Sequence, residues 1–188
     1  PQGSSLQQGQ VLQCPYDYDR AHTVMREMVD ALVLDLVDKR LVAGGISLVV
    51  GYEIPREARM AASSAFQGEH GRAYWKAIPR AGGSRKLGSY TSSAKKLVAA
   101  FEELWAETID PDAQIRRMSV AASPVIGEEF ATVDLFTDVE QEKKEHDLQR
   151  AVLAVKEKFG KNALLKGTNF RPGATGKERN GLVGGHRG

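Results

Sequence analysis

The chain has a single cysteine, Cys14, in 188 residues. No disulfide can close within it, and such usage suits a reducing cytoplasm. Cys14 itself reads as a small packing residue. No apolar run approaches the roughly 20 residues of a membrane-spanning helix, and no signal-peptide pattern is present. The first residue is Pro1 rather than methionine, which reads as a piece of a longer protein. Histidines are few and scattered (His22, His70, His146 and His186), and no Cys/His spacing fits zinc. Aromatic interleaving among the basic residues is thin, with only Tyr74 and Trp75, which argues against base stacking of the RNA-recognition kind. A phosphate loop is also missing: Gly176-Lys177 has the ending of one, but Arg171 stands where its first glycine belongs and Glu178 follows the lysine. The acids lie mainly on helix surfaces and in a connector, not at strand ends where paired metal-binding carboxylates would stand. Catalysis and a bound cofactor are therefore not expected of these residues.

What is present is an ordinary globular composition, 41% apolar and 27% charged, in a length that allows one sizeable domain plus an appendage. The net charge of +2 says little, but its distribution is uneven. Between Glu69 and Glu102 there is no acid, against Arg72, Lys76, Arg80, Arg85, Lys86, Lys95 and Lys96. From Glu128 to Asp147 the acids dominate, and from Lys161 onward the chain is basic again.

Periodicity gives the elements. A weak strand signal surrounds Val11-Leu12 and should end at Pro15. Asp17 or Asp19 caps a helix running to about Lys39, with Ala21, Val24, Met25, Met28, Leu32 and Leu36 at helical spacing. Gly44-Gly45 breaks the chain before a strand from Ile46 to Tyr52, in which Ile46, Leu48 and Val50 face one way and Ser47, Val49 and Gly51 the other. Residues 53–71 read as a loop. Arg72 to Ile78 reads as a third strand, with Trp75 inward and Lys76 outward, and Pro79 to Tyr90 as a Gly-rich basic turn. Thr91 or Ser92 caps a second helix with an apolar stripe of Leu97, Val98, Phe101, Leu104 and Trp105. The segment 114–120 is the fourth strand. Alternation puts Met118 and Val120 on one face, with Arg116 at its end, and Ile115, Arg117 and Ser119 on the other.

The order β-α-β-β-α-β predicts an α+β domain, a four-stranded antiparallel sheet with two helices on one face and the other face open. Residues 1–123 form this unit. Residues 124–188 hold an acidic connector, a third helix opened by a Thr137–Glu140 capping box, and a basic Gly-rich tail. Leu148, Val152, Val155 and Phe159 form the third helix's apolar stripe.

Charges clustered without balancing acids on an open sheet suit a polyanion. Arg72, Lys76, Arg80, Arg85, Lys86, Arg116 and Arg117 would supply the charge. Small residues such as Ser47, Gly51 and Ser119 would let a phosphate backbone come close.

These features resemble the little-finger domain of Y-family translesion DNA polymerases. The resemblance rests on the strand order, on Gly-Gln-Val-Leu before a Tyr-Asp-led helix, and on the strands Ile-Ser-Leu-Val-Val-Gly-Tyr and Ile-Arg-Arg-Met-Ser-Val. The chain is most similar to the UmuC/DinB-like (impB/mucB/samB) bacterial repair proteins. The stretches 160–167, 173–180 and 184–186 look like the C-terminus of the same subgroup. The resemblance implies the DNA-gripping, C-terminal part of an error-prone polymerase of the SOS response to DNA damage. Its Mg²⁺-binding carboxylates would lie in a palm domain before residue 1, leaving this fragment inactive alone. It implies Arg116 and Arg117 as contacts to primer–template duplex. It also implies a clamp-binding peptide at Thr132, Val133, Asp134, Leu135 and Phe136, where Thr132 replaces the usual Gln. Two fates stay open for Leu135 and Phe136: packing on the domain, or docking into a sliding clamp. Two other functions stay open as well, a protein-interaction module and a free-standing RNA-binding domain.

Overall fold

The computed structural model describes residues 4–54, 79–131 and 139–181. Four strands, β1 (Ser4–Tyr16), β2 (Leu41–Tyr52), β3 (Arg80–Thr91) and β4 (Ile115–Gly127), form one sheet in the order β1-β4-β2-β3. Every neighbouring pair is antiparallel. Two helices, α1 (Tyr18–Asp38) and α2 (Ala94–Thr108), pack on one face. The expected order β-α-β-β-α-β is the observed one.

Local chemistry sets the helix ends. Asp17 is the N-cap of α1 and its Oδ1 accepts the Arg20 N–H at 2.9 Å. The cap of α2 is Ser93, one or two residues later than expected, with Oγ accepting the Lys96 N–H at 3.3 Å. The six apolar positions read in α1 are all buried, including Met25 and Met28. From α2, Leu97, Phe101, Leu104 and Trp105 meet them against Ile46, Leu48, Val50, Met118 and Val120. A hydrogen-bonded network ties the helices together beside this core: Glu102 accepts from Arg26 Nη1 at 2.8 Å and lies 2.5 Å from His22 Nε2.

The strands depart from expectation wherever glycine or proline was read as a break. β1 runs through Pro15, because this edge strand is irregular between Val11 and Tyr16 and no ladder pairing there needs the missing N–H. In β2, Gly44-Gly45 lies inside the strand. A Cβ at residue 45 would be 2.7 Å from the Ser123 carbonyl oxygen, and one at residue 44 would be 2.8 Å from the Tyr90 ring. Close neighbours, not a turn, require the pair.

The largest correction is β3, which occupies the stretch read as a basic turn. Gly82 adopts φ +125°, and a Cβ there would sit 2.0 Å from the Leu48 carbonyl oxygen. Glycine serves the strand's close approach to β2. The expected strand at Arg72 to Ile78, with Trp75 and Lys76, and the loop at 55–71 lie outside the described residues. Cys14 is exposed rather than packed.

Beyond β4, which carries past residue 123 to Gly127, come α3 (Val139–Phe159) and a short helix, α4 (Gly176–Arg179). Only the middle of the stripe expected on α3 is covered, where Val152 and Val155 are half-buried. Leu148 is 60% exposed and Phe159 67%, whereas Gln149 is 8% exposed. Polar side chains dock this helix. The Glu145 carboxylate accepts from Ser93 Oγ and from the Lys95 N–H, both at 2.8 Å, placing a negative charge at the N-terminus of α2. Lys96 pairs with Glu142 at 2.7 Å. The capping box at Thr137 lies outside the described residues.

Candidate nucleic-acid interface

Cross-strand partners share a face, so the register places each side chain. Three rows cross the sheet on the side away from the helices. They are Gln7–Ala121–Ser47–Ser84, Gly9–Ser119–Val49–Gly82, and Val11–Arg117–Gly51–Arg80, each in the order β1, β4, β2, β3. Lys86 continues the face opposite Gly45. Among the described residues no helix packs here, and Val11 and Val49 remain 62% and 43% exposed. Most of the platform is glycine, alanine and serine, so its floor is nearly flat. Gln7 Nε2 donates to Ser119 Oγ at 2.8 Å and holds that hydroxyl in the middle row.

Positive charge lies at the margins. Arg117 and Arg80 flank Gly51 on β4 and β3, two strand spacings or roughly 10 Å apart. Arg80 and Lys86 are exposed, and Arg117 is half-buried. The platform brings together Ser47, Arg80, Lys86, Arg117 and Ser119 from the residues expected to touch DNA.

Two expected members stand elsewhere. Arg85 pairs with Ile46, whose side chain enters the core, so Arg85 projects to the helix side. There its guanidinium donates to Glu103 and to both Glu107 carboxylate oxygens, at 2.7 and 2.6 Å. The hydrogen bond to Glu107, first among the causes, raises its pKa above the ordinary arginine value. A two-residue alternation separates Arg85 from the outward Ser84 and Lys86, and reading the stretch as a turn concealed it.

Arg116 is the other. The β2 register slips between Gly51, opposite Arg117, and Tyr52, opposite Ile115, leaving Arg116 as the extra residue of a bulge. The slip turns Ile115 to the core, where it is fully buried, instead of leaving it on the face of Arg117 and Ser119. Arg116 is held 3.6 Å from Glu53. Arg72, Lys76 and the peptide at Thr132, Val133, Asp134, Leu135 and Phe136 lie outside the described residues.

Sequence reading missed the contribution of β1. Gln7, Gly9 and Val11 complete the platform, but with Val11 outward and Gln8 and Gln10 on the helix side, polarity along β1 does not mark which set faces out. It also missed Glu27, a buried carboxylate on α1 that falls at helical spacing between Val24 and Met28.

Among the described residues no group of three His, Cys, Asp or Glu side chains is placed to hold a metal ion. No described helix is long and apolar enough to cross a membrane.

An α+β domain with one helix-covered face and one flat, basic face is a built platform. The impB/mucB/samB family C-terminal domain matches residues 11–135, two-thirds of the chain, and the chain belongs to that family. The matched residues correspond to the C-terminal domain of UmuC/DinB-like Y-family polymerases. A search of curated proteins found no match.

Proposed function

We propose that the flat face binds the sugar–phosphate backbone of a DNA duplex, as part of an error-prone translesion polymerase acting in DNA repair. One observation carries the reading: Arg117 and Arg80 flank Gly51 at the margin of a platform of small residues. Small side chains let two ridges of phosphate approach the sheet. Arginine and lysine at the margins supply charge-assisted contacts, and Ser47 and Ser119 offer hydroxyls without reading base sequence. Arg117, Arg80, Lys86, Ser119 and Ser47 are the proposed contacts.

The metal ions and carboxylates for nucleotidyl transfer belong, on this reading, to a part of the polymerase outside this chain. A sliding clamp is the proposed second partner, through Leu135 and Phe136.

The test is duplex binding across a salt series. Neutralising each phosphate should contribute about −0.9 to the slope of log affinity against log salt. Three contacts from the platform should give a slope near −3, independent of sequence. A flat salt dependence, or a marked preference for an RNA duplex, overturns the reading.

A further inference from the structure

Among the described residues Glu27 is the only buried carboxylate, at 6% exposure. The donors to it come from the C-terminal tail. Asn169 Nδ2 donates at 2.5 Å, the Thr175 N–H at 2.7 Å and the Gly176 N–H at 2.9 Å. Thr175 Oγ1 is tied in turn to Gln10 Nε2 of β1 at 2.9 Å, and Lys166 Nζ pairs with Asp30 at 2.7 Å. Two glycines make the fit possible. Gly173 has φ +87°, and a Cβ there would be 2.7 Å from Arg20 Cβ. A Cβ at residue 176 would be 2.7 Å from Glu27 Oε1. The resemblance of Gly176-Lys177 to a phosphate loop has a physical explanation here, since successive backbone N–H groups face an anion, and the anion is the protein's own.

We propose that residues 161–181 form a releasable strap, locked onto α1 by Glu27, that comes off while the domain stays folded. Two properties together point to this. The docking is specific, because charge-assisted bonds converge on one carboxylate and both glycines are fitted to it. It is also shallow. No residue from 161 to 181 is buried, and none belongs to the core cluster. Removing the strap therefore withdraws no core side chain. It admits water to Glu27, so no buried acceptor is left unsatisfied. Segments with few buried apolar contacts open at a small fraction of the global unfolding free energy.

Release changes what the helix side offers. Docked, Lys166, Gly167 and Thr168 wall a groove of about 440 Å³ against Arg26, Asp30 and Val98. Released, the groove loses that wall. The strap becomes an arm with five cations (Lys161, Lys166, Arg171, Lys177 and Arg179) against the single acid Glu178.

Hydrogen exchange read by mass spectrometry tests the lock on the full chain. Glu27→Ala removes the acceptor, and Gly176→Val blocks the seat while keeping Glu27. Each should accelerate exchange across 167–181 by tenfold or more, with peptides from α1, α2 and the sheet unchanged. Protection of 167–181 surviving in either variant overturns the proposal. A parallel rise in exchange throughout the domain also overturns it, because the strap would then unfold only with the core.

Discussion

The side chain of Arg117 lies along Gly51: a Cβ at residue 51 would be 3.5 Å from the Arg117 Cβ and 3.8 Å from its Cδ. The glycine leaves the arginine stem a shelf across the strand, and the guanidinium is carried at the level of the platform rather than above a bulky neighbour. Arg117→Ala should weaken binding to unrelated duplexes equally, by roughly 3- to 10-fold, and reduce the salt slope by about 0.9. A loss confined to one sequence contradicts a phosphate contact. Titrations of two unrelated duplexes at several salt concentrations distinguish the cases.

Arg85 is the matched control, one residue from Lys86 yet on the opposite face. Arg85→Ala should leave the salt slope for duplex binding unchanged and lower the melting temperature slightly, because it removes the bonds to Glu103 and Glu107. Lys86→Ala should do the reverse. A fall in salt slope for Arg85→Ala alone would place the DNA on the helix side.

The helices were legible because their apolar spacing and caps are local properties. So was the outward set Ser47, Val49 and Gly51, which follows from alternation inside one uninterrupted strand. The same alternation failed at Ile115, where a bulge moves one residue across the sheet, and a bulge depends on the partner strand's register rather than on the strand's own residues. β3 was misread because Gly82, Gly83 and Gly88 resemble turn residues until the approach of β2 is known. The docking of α3 does not show in its apolar stripe, because Glu142 and Glu145 reach partners on α2 or at its cap. Hydrogen bonds to distant backbone leave little trace in local sequence.

Purified chain supplied with primer–template, nucleotides and Mg²⁺ should extend no primer. Two-metal phosphoryl transfer needs clustered carboxylates, and among the described residues no three His, Cys, Asp or Glu side chains are grouped to hold a metal ion. Extension that co-purifies with the chain, and persists after a further purification step, would contradict the proposed division between this domain and a catalytic part elsewhere.

Leu135 and Phe136 carry the proposed clamp contact. Two apolar side chains entering one pocket supply much of the affinity of such a peptide. Replacing both with alanine should abolish binding to the sliding clamp while leaving duplex binding and melting temperature in place. A melting temperature lowered by many degrees, with no clamp binding by the unaltered chain, would assign the pair to the domain's own packing.

The adjacent glycines of β3 should answer substitution in opposite ways. At Gly82 the backbone has φ +125°, and a Cβ would be 2.0 Å from the Leu48 carbonyl oxygen and 2.8 Å from its carbon. Both atoms are main chain, held by the pairing of β2 with β3 and β4, so neither can rotate away. Gly82→Ala must force the strands apart or abandon the local conformation, and should cost about 2–4 kcal/mol of stability. Gly83 points to the helix side, where a Cβ would meet Leu104 Cδ1 at 3.4 Å and Thr108 Cγ2 at 3.9 Å, both at side-chain tips. Alanine there adds a methyl group to existing apolar surroundings and removes conformational freedom from the unfolded chain. Gly83→Ala should therefore be neutral to stabilising, within about 1 kcal/mol. Denaturant unfolding of the two variants reads the contrast directly, and equal midpoints would mean that β3 does not approach β2 at Gly82 as described.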